Sequence, residues 1–124
     1  MDTPEQILEK IQTLIDRNPQ YKFEVYSFIL AALHYTMSSL PAPRHISGRE
    51  FCDGIRRYAV DQFGPLARTV LEHWGIKATL DFGKIVFALV EVGLMRKTEE
   101  DSLDDFKDIY DFKTAFDQGF SFDS

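Results

Sequence analysis

The stretch from Phe63 to Met95, FGPLARTVLEHWGIKATLDFGKIVFALVEVGLM, decides the fold, because it spells two short helices around a tight turn. Pro65 stands where the first helix opens and Gly75 where it stops. Thr79 is placed to cap the second, Asp81 falls in its first turn and Gly93 ends it. This is the outline of a helix-turn-helix, a unit that serves either as the reading head of a DNA-binding domain or as a packing core. The second helix carries Val86, Phe87, Leu89 and Val90, and is apolar where a reader of base edges is polar. The expectation is therefore a hydrophobic centre.

Upstream, Thr3, Pro4 and Gln6 supply the N-cap, first-turn proline and capping-box partner of an amphipathic helix. Its apolar face is Ile7, Leu8, Ile11, Leu14 and Ile15, and it stops near Asn18 and Pro19. Tyr21 to Leu40 has the aromatic and β-branched content of a strand. Phe28, Ile29, Ala32, Leu33, Thr36 and Met37 nevertheless hold helical spacing over a length that single strands rarely reach. Leu40 to Ile46 contains two prolines and reads as an extended connection ending in a very short strand at His45 and Ile46. Ser47 and Glu50 make a second capping box, opening a helix to Phe63 with Phe51, Ile55, Tyr58, Ala59 and Phe63 inward. Gly54 costs that helix roughly 1 kcal/mol against Ala, which points to a close helix contact.

Downstream of Gly93, LMRKT and DFKDIY read as two strands of a small β-hairpin turning through EEDS. Asp111 then caps a last helical turn, FKTAF, and residues 117–124 form a frayed acidic tail. The expected fold is mainly α (α+β), one globular domain spanning residues 1–124. It has about five helices, a helix-turn-helix-like centre and a C-terminal β-hairpin, an order compatible with a winged-helix layout.

Composition narrows the setting. With 44% hydrophobic residues, eleven Phe, five Tyr and one Trp in 124 residues, the chain can bury one sizeable core. The single Cys52 cannot pair internally, no leader pattern opens the chain and no apolar run reaches membrane-spanning length, so a soluble cytoplasmic protein is expected. The net charge of −6 is uneven. Residues 1–98 carry 12 Lys and Arg against 11 Asp and Glu, a balance of +1, and residues 99–124 carry 2 against 9, a balance of −7.

The combination of an aromatic-rich second helix with HISGREF, FGPLARTVLEHWGI, TLDFGKIVF and IYDFKTAF resembles the Minf-type family of small uncharacterised bacterial proteins. The resemblance runs from about Pro19 to Phe116 and is most specific where WGI is followed by DFG. It implies a bacterial origin and carries no catalytic residue onto any position here.

Chemistry-bearing residues are sparse. His34, His45, His73 and Cys52 are the right types for a metal or a nucleophile-base pair, but each falls on a different segment and no ligand spacing recurs. The acidic run Glu99, Glu100, Asp101, Asp104, Asp105 and Asp108 lacks the central Gly and final Glu of a calcium loop. The DFG triplet at Asp81 lacks every other kinase signature and reads as a helix start. No catalytic residue, metal or cofactor is therefore assigned.

Two clusters remain as candidate partner-binding residues. Arg44, Arg49, Arg56 and Arg57, with His45 and Arg68 nearby, form a basic group that is either free for a partner or a solvated helix face with Glu50, Asp53 and Asp61 as neighbouring ion-pair partners; Phe106, Tyr110, Phe112 and Phe116, followed by Phe120 and Phe122, are aromatics interleaved with acids that either form an exposed patch or dock back over the helical core. Together they suggest a non-enzymatic protein-interaction or regulatory module whose partner is another protein. The alternative is a winged-helix-like DNA-binding regulator. Nucleic acid is disfavoured because the expected wing is the most acidic part of the chain and would be repelled by phosphates.

Overall fold

The structure is a computed structural model that describes residues 2–117. Among these residues five helices follow in order: α1 (Pro4–Arg17), α2 (Phe23–Ser38), α3 (Gly48–Phe63), α4 (Ala67–His73) and α5 (Thr79–Glu91). A 3-10 turn, Gly64–Leu66, leads into α4. After α5 the chain makes a second 3-10 turn at Leu103–Phe106 and a π-type turn at Lys113–Asp117. Among the described residues no helix is long and apolar enough to cross a membrane.

Local signals account for the helix boundaries. Thr3 accepts the Gln6 N–H while the Gln6 side chain accepts the Thr3 N–H, and Ser47 and Glu50 make the same reciprocal pair at α3. Gly75 and Gly93, at φ 85° and 79°, take the left-handed conformation that lets the chain turn back on a helix end. Ile76 and Leu94 then return their N–H groups to Leu71 and Leu89.

Thr79 is not the N-cap of α5. It is the first helical residue, and Asp81 reaches back to accept the N–H groups of Lys77 and Ala78 at 2.9 and 3.2 Å. A carboxylate held against those amides supplies the cap and frees the Thr79 hydroxyl for another use.

Helix α5 is the centre of the molecule, burying Phe82, Gly83, Ile85, Val86 and Leu89. Helices α2 and α3 pack closely because Gly54 has no side chain. A Cβ there would stand 1.9 Å from Thr36 Oγ1 and 2.8 Å from Thr36 Cβ. A second core layer is aromatic: Phe28, Phe63 and Trp74 meet with ring centroids 5.4 to 5.7 Å apart.

The expected hairpin does not form, and the described residues contain no strand, neither at 94–110 nor at His45 and Ile46. With no hairpin among the described residues, the winged-helix layout loses its wing. The reason lies in the acids. Asp101 accepts the Thr98 N–H at 2.7 Å, Asp105 accepts the Ser102 N–H at 2.9 Å, and Asp111 accepts the Thr114 N–H at 3.1 Å. Each carboxylate closes a turn three residues wide, taking amides that a ladder would need. The last helical turn expected at FKTAF is present, wound wider as the π-type turn. The frayed tail, apart from Asp117, lies outside the described residues.

Candidate functional site

The C-terminal segment lies against the helical core through nonlocal bonds. The Thr79 hydroxyl donates to the Phe106 carbonyl at 2.6 Å and accepts the Ile109 N–H at 3.1 Å. Tyr110 donates its phenol to the Cys52 carbonyl at 2.7 Å. Gly83 makes room for this segment, since a Cβ there would come 2.8 Å from Phe106 Cβ and 2.9 Å from Leu103 Cδ1. The DFG triplet thus has three separate jobs: Asp81 caps, Phe82 fills the core and Gly83 admits Phe106.

This docking removes most of the aromatic candidates from the surface. Phe106, Phe112 and Phe116 are 5%, 4% and 1% exposed. Phe82 stacks on Phe112 with centroids 5.6 Å apart, and Phe116 meets Phe112 edge-on at 5.2 Å. Tyr110 is half-buried with its hydroxyl committed to α3. Burial pushes the Tyr110 phenol above its ordinary pKa, with Cys52 and Asp53 adding to the effect and Arg56 opposing it. Of the two uses open to these rings, docking over the helical core or forming an exposed patch, Phe106, Phe112 and Phe116 take the first, while the acids between them, Asp108 and Asp111, are exposed. Phe120 and Phe122 lie outside the described residues.

The basic candidates divide. Arg44 is tied bidentate to Glu50 at 3.2 and 2.7 Å. The Arg44 guanidinium, together with the Ser47 N–H, holds the Glu50 carboxyl at about 2. Arg49, Asp53, Arg56 and Arg57 follow at i, i+4, i+7 and i+8 and so share one face of α3. Arg57 pairs with Asp53 at 3.1 Å, whereas Arg49 and Arg56 have no ion pair among the described residues. Arg49 and Arg57 are exposed and Arg56 half-buried. Contact between the basic group and the acidic end occurs at two places, His45 Nε2 to Asp101 at 2.9 Å and Arg68 to Asp117. Burial pushes the Asp101 carboxyl up, but the Thr98 N–H and His45 more than offset it and the net shift is downward.

Cys52 is buried in α3, and burial pushes its thiol up to about 12 with Arg49 acting weakly the other way. Such a thiol stays protonated and is a poor nucleophile. His34 and His73 are exposed on α2 and α4, and His45 is engaged by Asp101. Among the described residues no three His, Cys, Asp or Glu side chains gather into a group able to hold a metal ion.

One feature has no forerunner in the sequence. A cavity of about 320 Å³ opens between α2, the start of α3, α5 and the segment after Gly93. Phe51, Val86, Met95 and Phe106 form buried walls, and Arg44, His45, Arg96 and Lys97 stand among its polar lining. Arg96 and Lys97 were concealed in LMRKT, which reads as a strand. What brings them here is the return of Leu94 and Met95 to the Leu89 carbonyl, which turns the chain across the end of α5. Comparison with protein-family models, curated proteins and solved structures yields no match to this chain.

Proposed function

We propose that the protein is a non-enzymatic interaction module that grips an acidic surface of a partner protein with the outward face of α3. The observation that carries this is the arginine ridge Arg49, Arg56 and Arg57, in which, among the described residues, only Arg57 is ion-paired, to Asp53. Arginine presents a planar fork suited to carboxylates and loses little order in doing so. Of the two candidate clusters, this is the one that remains available. The resemblance to Minf-type proteins assigns no activity, so the support is geometric.

The duplex-binding alternative has less in its favour. The fully exposed positions of α5 are Lys84 and Glu91, which leaves that helix without a basic reading face. Absence of a gel shift with duplex DNA at about 50 mM salt, where phosphate binding is strongest, would remove it.

The test is capture with a tagged full-length chain from its native cells, repeated with Arg49→Glu plus Arg56→Glu. The expected result is a reproducible protein partner that the double charge reversal loses and that raised salt weakens. A partner retained undiminished by the variant, or none recovered, overturns the proposal.

A further inference from the structure

We propose that the cavity beside the start of α3 binds a small apolar carboxylate, an unbranched acyl chain of about eight to ten carbons whose head group rests on Arg96 and Lys97. This goes beyond the protein contact above and does not rest on it.

Size sets the tail. A volume of about 320 Å³ is roughly ten water volumes, and a methylene occupies about as much liquid volume as a water molecule. The walls set its polarity. Phe51, Val86, Met95 and Phe106 are buried apolar side chains, and the half-buried Leu33 and Met37 of α2 also line the cavity. Among the described residues no buried side-chain nitrogen or oxygen lacks a hydrogen-bond partner, so nothing in the wall calls for a polar group inside. Apolar cavities of this kind take apolar guests rather than water. Met37 and Met95 are unbranched and can adjust to a flexible chain.

Charge sets the head. The polar groups at the mouth are mostly committed: Arg44 to Glu50, His45 to Asp101, and Asp105 to the Ser102 N–H. Arg96 and Lys97 are exposed and make no ion pair among the described residues. Two adjacent cations at the rim of an apolar hole match one anion at the end of an apolar chain, with the guanidinium able to hold both carboxylate oxygens.

The test is titration of the full-length protein with hexanoate, octanoate and decanoate, read from amide shifts in its ¹H–¹⁵N spectrum. Shifts are expected at Gly48, Lys97 and Phe106, with affinity rising roughly fourfold for each added methylene. Arg96→Glu with Lys97→Glu, both exposed and making no side-chain hydrogen bond or ion pair among the described residues, should weaken decanoate about tenfold or more and leave 1-decanol unchanged. Lys22→Glu, an exposed charge reversal away from the cavity, should alter neither. Leu33→Trp, checked for folding by circular dichroism, should block the chain. No shift with millimolar decanoate, an affinity indifferent to chain length, or a charge-reversed variant that binds decanoate as before would each overturn the proposal.

Discussion

Replacing Thr79 by Val keeps the shape of a side chain that is 1% exposed and removes its hydroxyl. That hydroxyl is the bond between α5 and the C-terminal segment, donating to the Phe106 carbonyl and accepting from Ile109 N–H. Leaving the buried Phe106 carbonyl without a partner costs about 1–3 kcal/mol. The Ile109 amide is half-buried and reaches water more easily, so its loss adds only about 1 kcal/mol, the net worth of an ordinary hydrogen bond. The total of about 2–4 kcal/mol is a large part of the 5–15 kcal/mol typical of a domain. It corresponds to a fall in Tm of about 10 °C and a urea midpoint lower by about 1–2 M. Thr79→Ser is the control, since it keeps the hydroxyl and loses one methyl, for about 1 kcal/mol. Urea unfolding followed by Trp74 fluorescence gives the free energies, and hydrogen exchange at the Ile109 amide shows whether the segment has loosened. If Val fell within about 0.5 kcal/mol of the parent, a change typical of an unimportant surface site, or if Ser proved worse than Val, the docking role of the hydroxyl would be refuted.

Gly54→Ala should destabilise despite a gain of roughly 1 kcal/mol in helix propensity, because its Cβ overlaps Thr36 and overpacking costs about 1–3 kcal/mol or more. Adding Thr36→Ala should recover part of the loss, and strict additivity in that double-mutant cycle would rule out the clash. Cys52 should resist thiol reagents in the native protein at mildly alkaline pH and react at the rate of unfolding; prompt reaction without denaturant would contradict its burial. Glu50 is depressed from 4.5 to about 2, so its contribution is present above pH 4.5 and is lost as pH falls towards 2. Arg44→Gln should therefore flatten the loss of stability across that window, and identical urea midpoints against pH for the two proteins would show that the pair contributes nothing.

What was legible in the chain was local. Each capping box closes over three residues, Gly75 and Gly93 act on the turn beside them, and the apolar spacing of α1, α3 and α5 repeats every three to four residues. The second helix, for all its aromatic residues, followed its spacing rather than its β-propensity, because sixteen residues of helix bury Phe28, Ile29, Ala32 and Thr36 on one side. Gly54 could be suspected as a close contact because a glycine inside a helix is otherwise a net cost.

The segment after Gly93 was not legible in this way. Two short segments around the polar run EEDS read as a hairpin, yet Thr98, Ser102 and Asp111 begin turns closed by side chains, and those bonds compete with strand pairing. The balance was tipped by partners 27, 30 and 58 residues away, Thr79 for Phe106 and Ile109, and Cys52 for Tyr110. The same docking took Phe106, Phe112 and Phe116 out of reach of any partner and left the α3 arginines in reach. It also made the cavity, whose walls come from four separate parts of the chain. The sequence by itself thus determined five helices and most of their ends, since caps and periodicity act within a turn or two; it misplaced the cap of α5, put on Thr79, and the start of α4, put at Pro65, where a 3-10 turn comes first. Only the tertiary structure decided the path of the C-terminal segment and the place of the cavity, because both depend on free-energy differences between distant surfaces that no short window of residues contains.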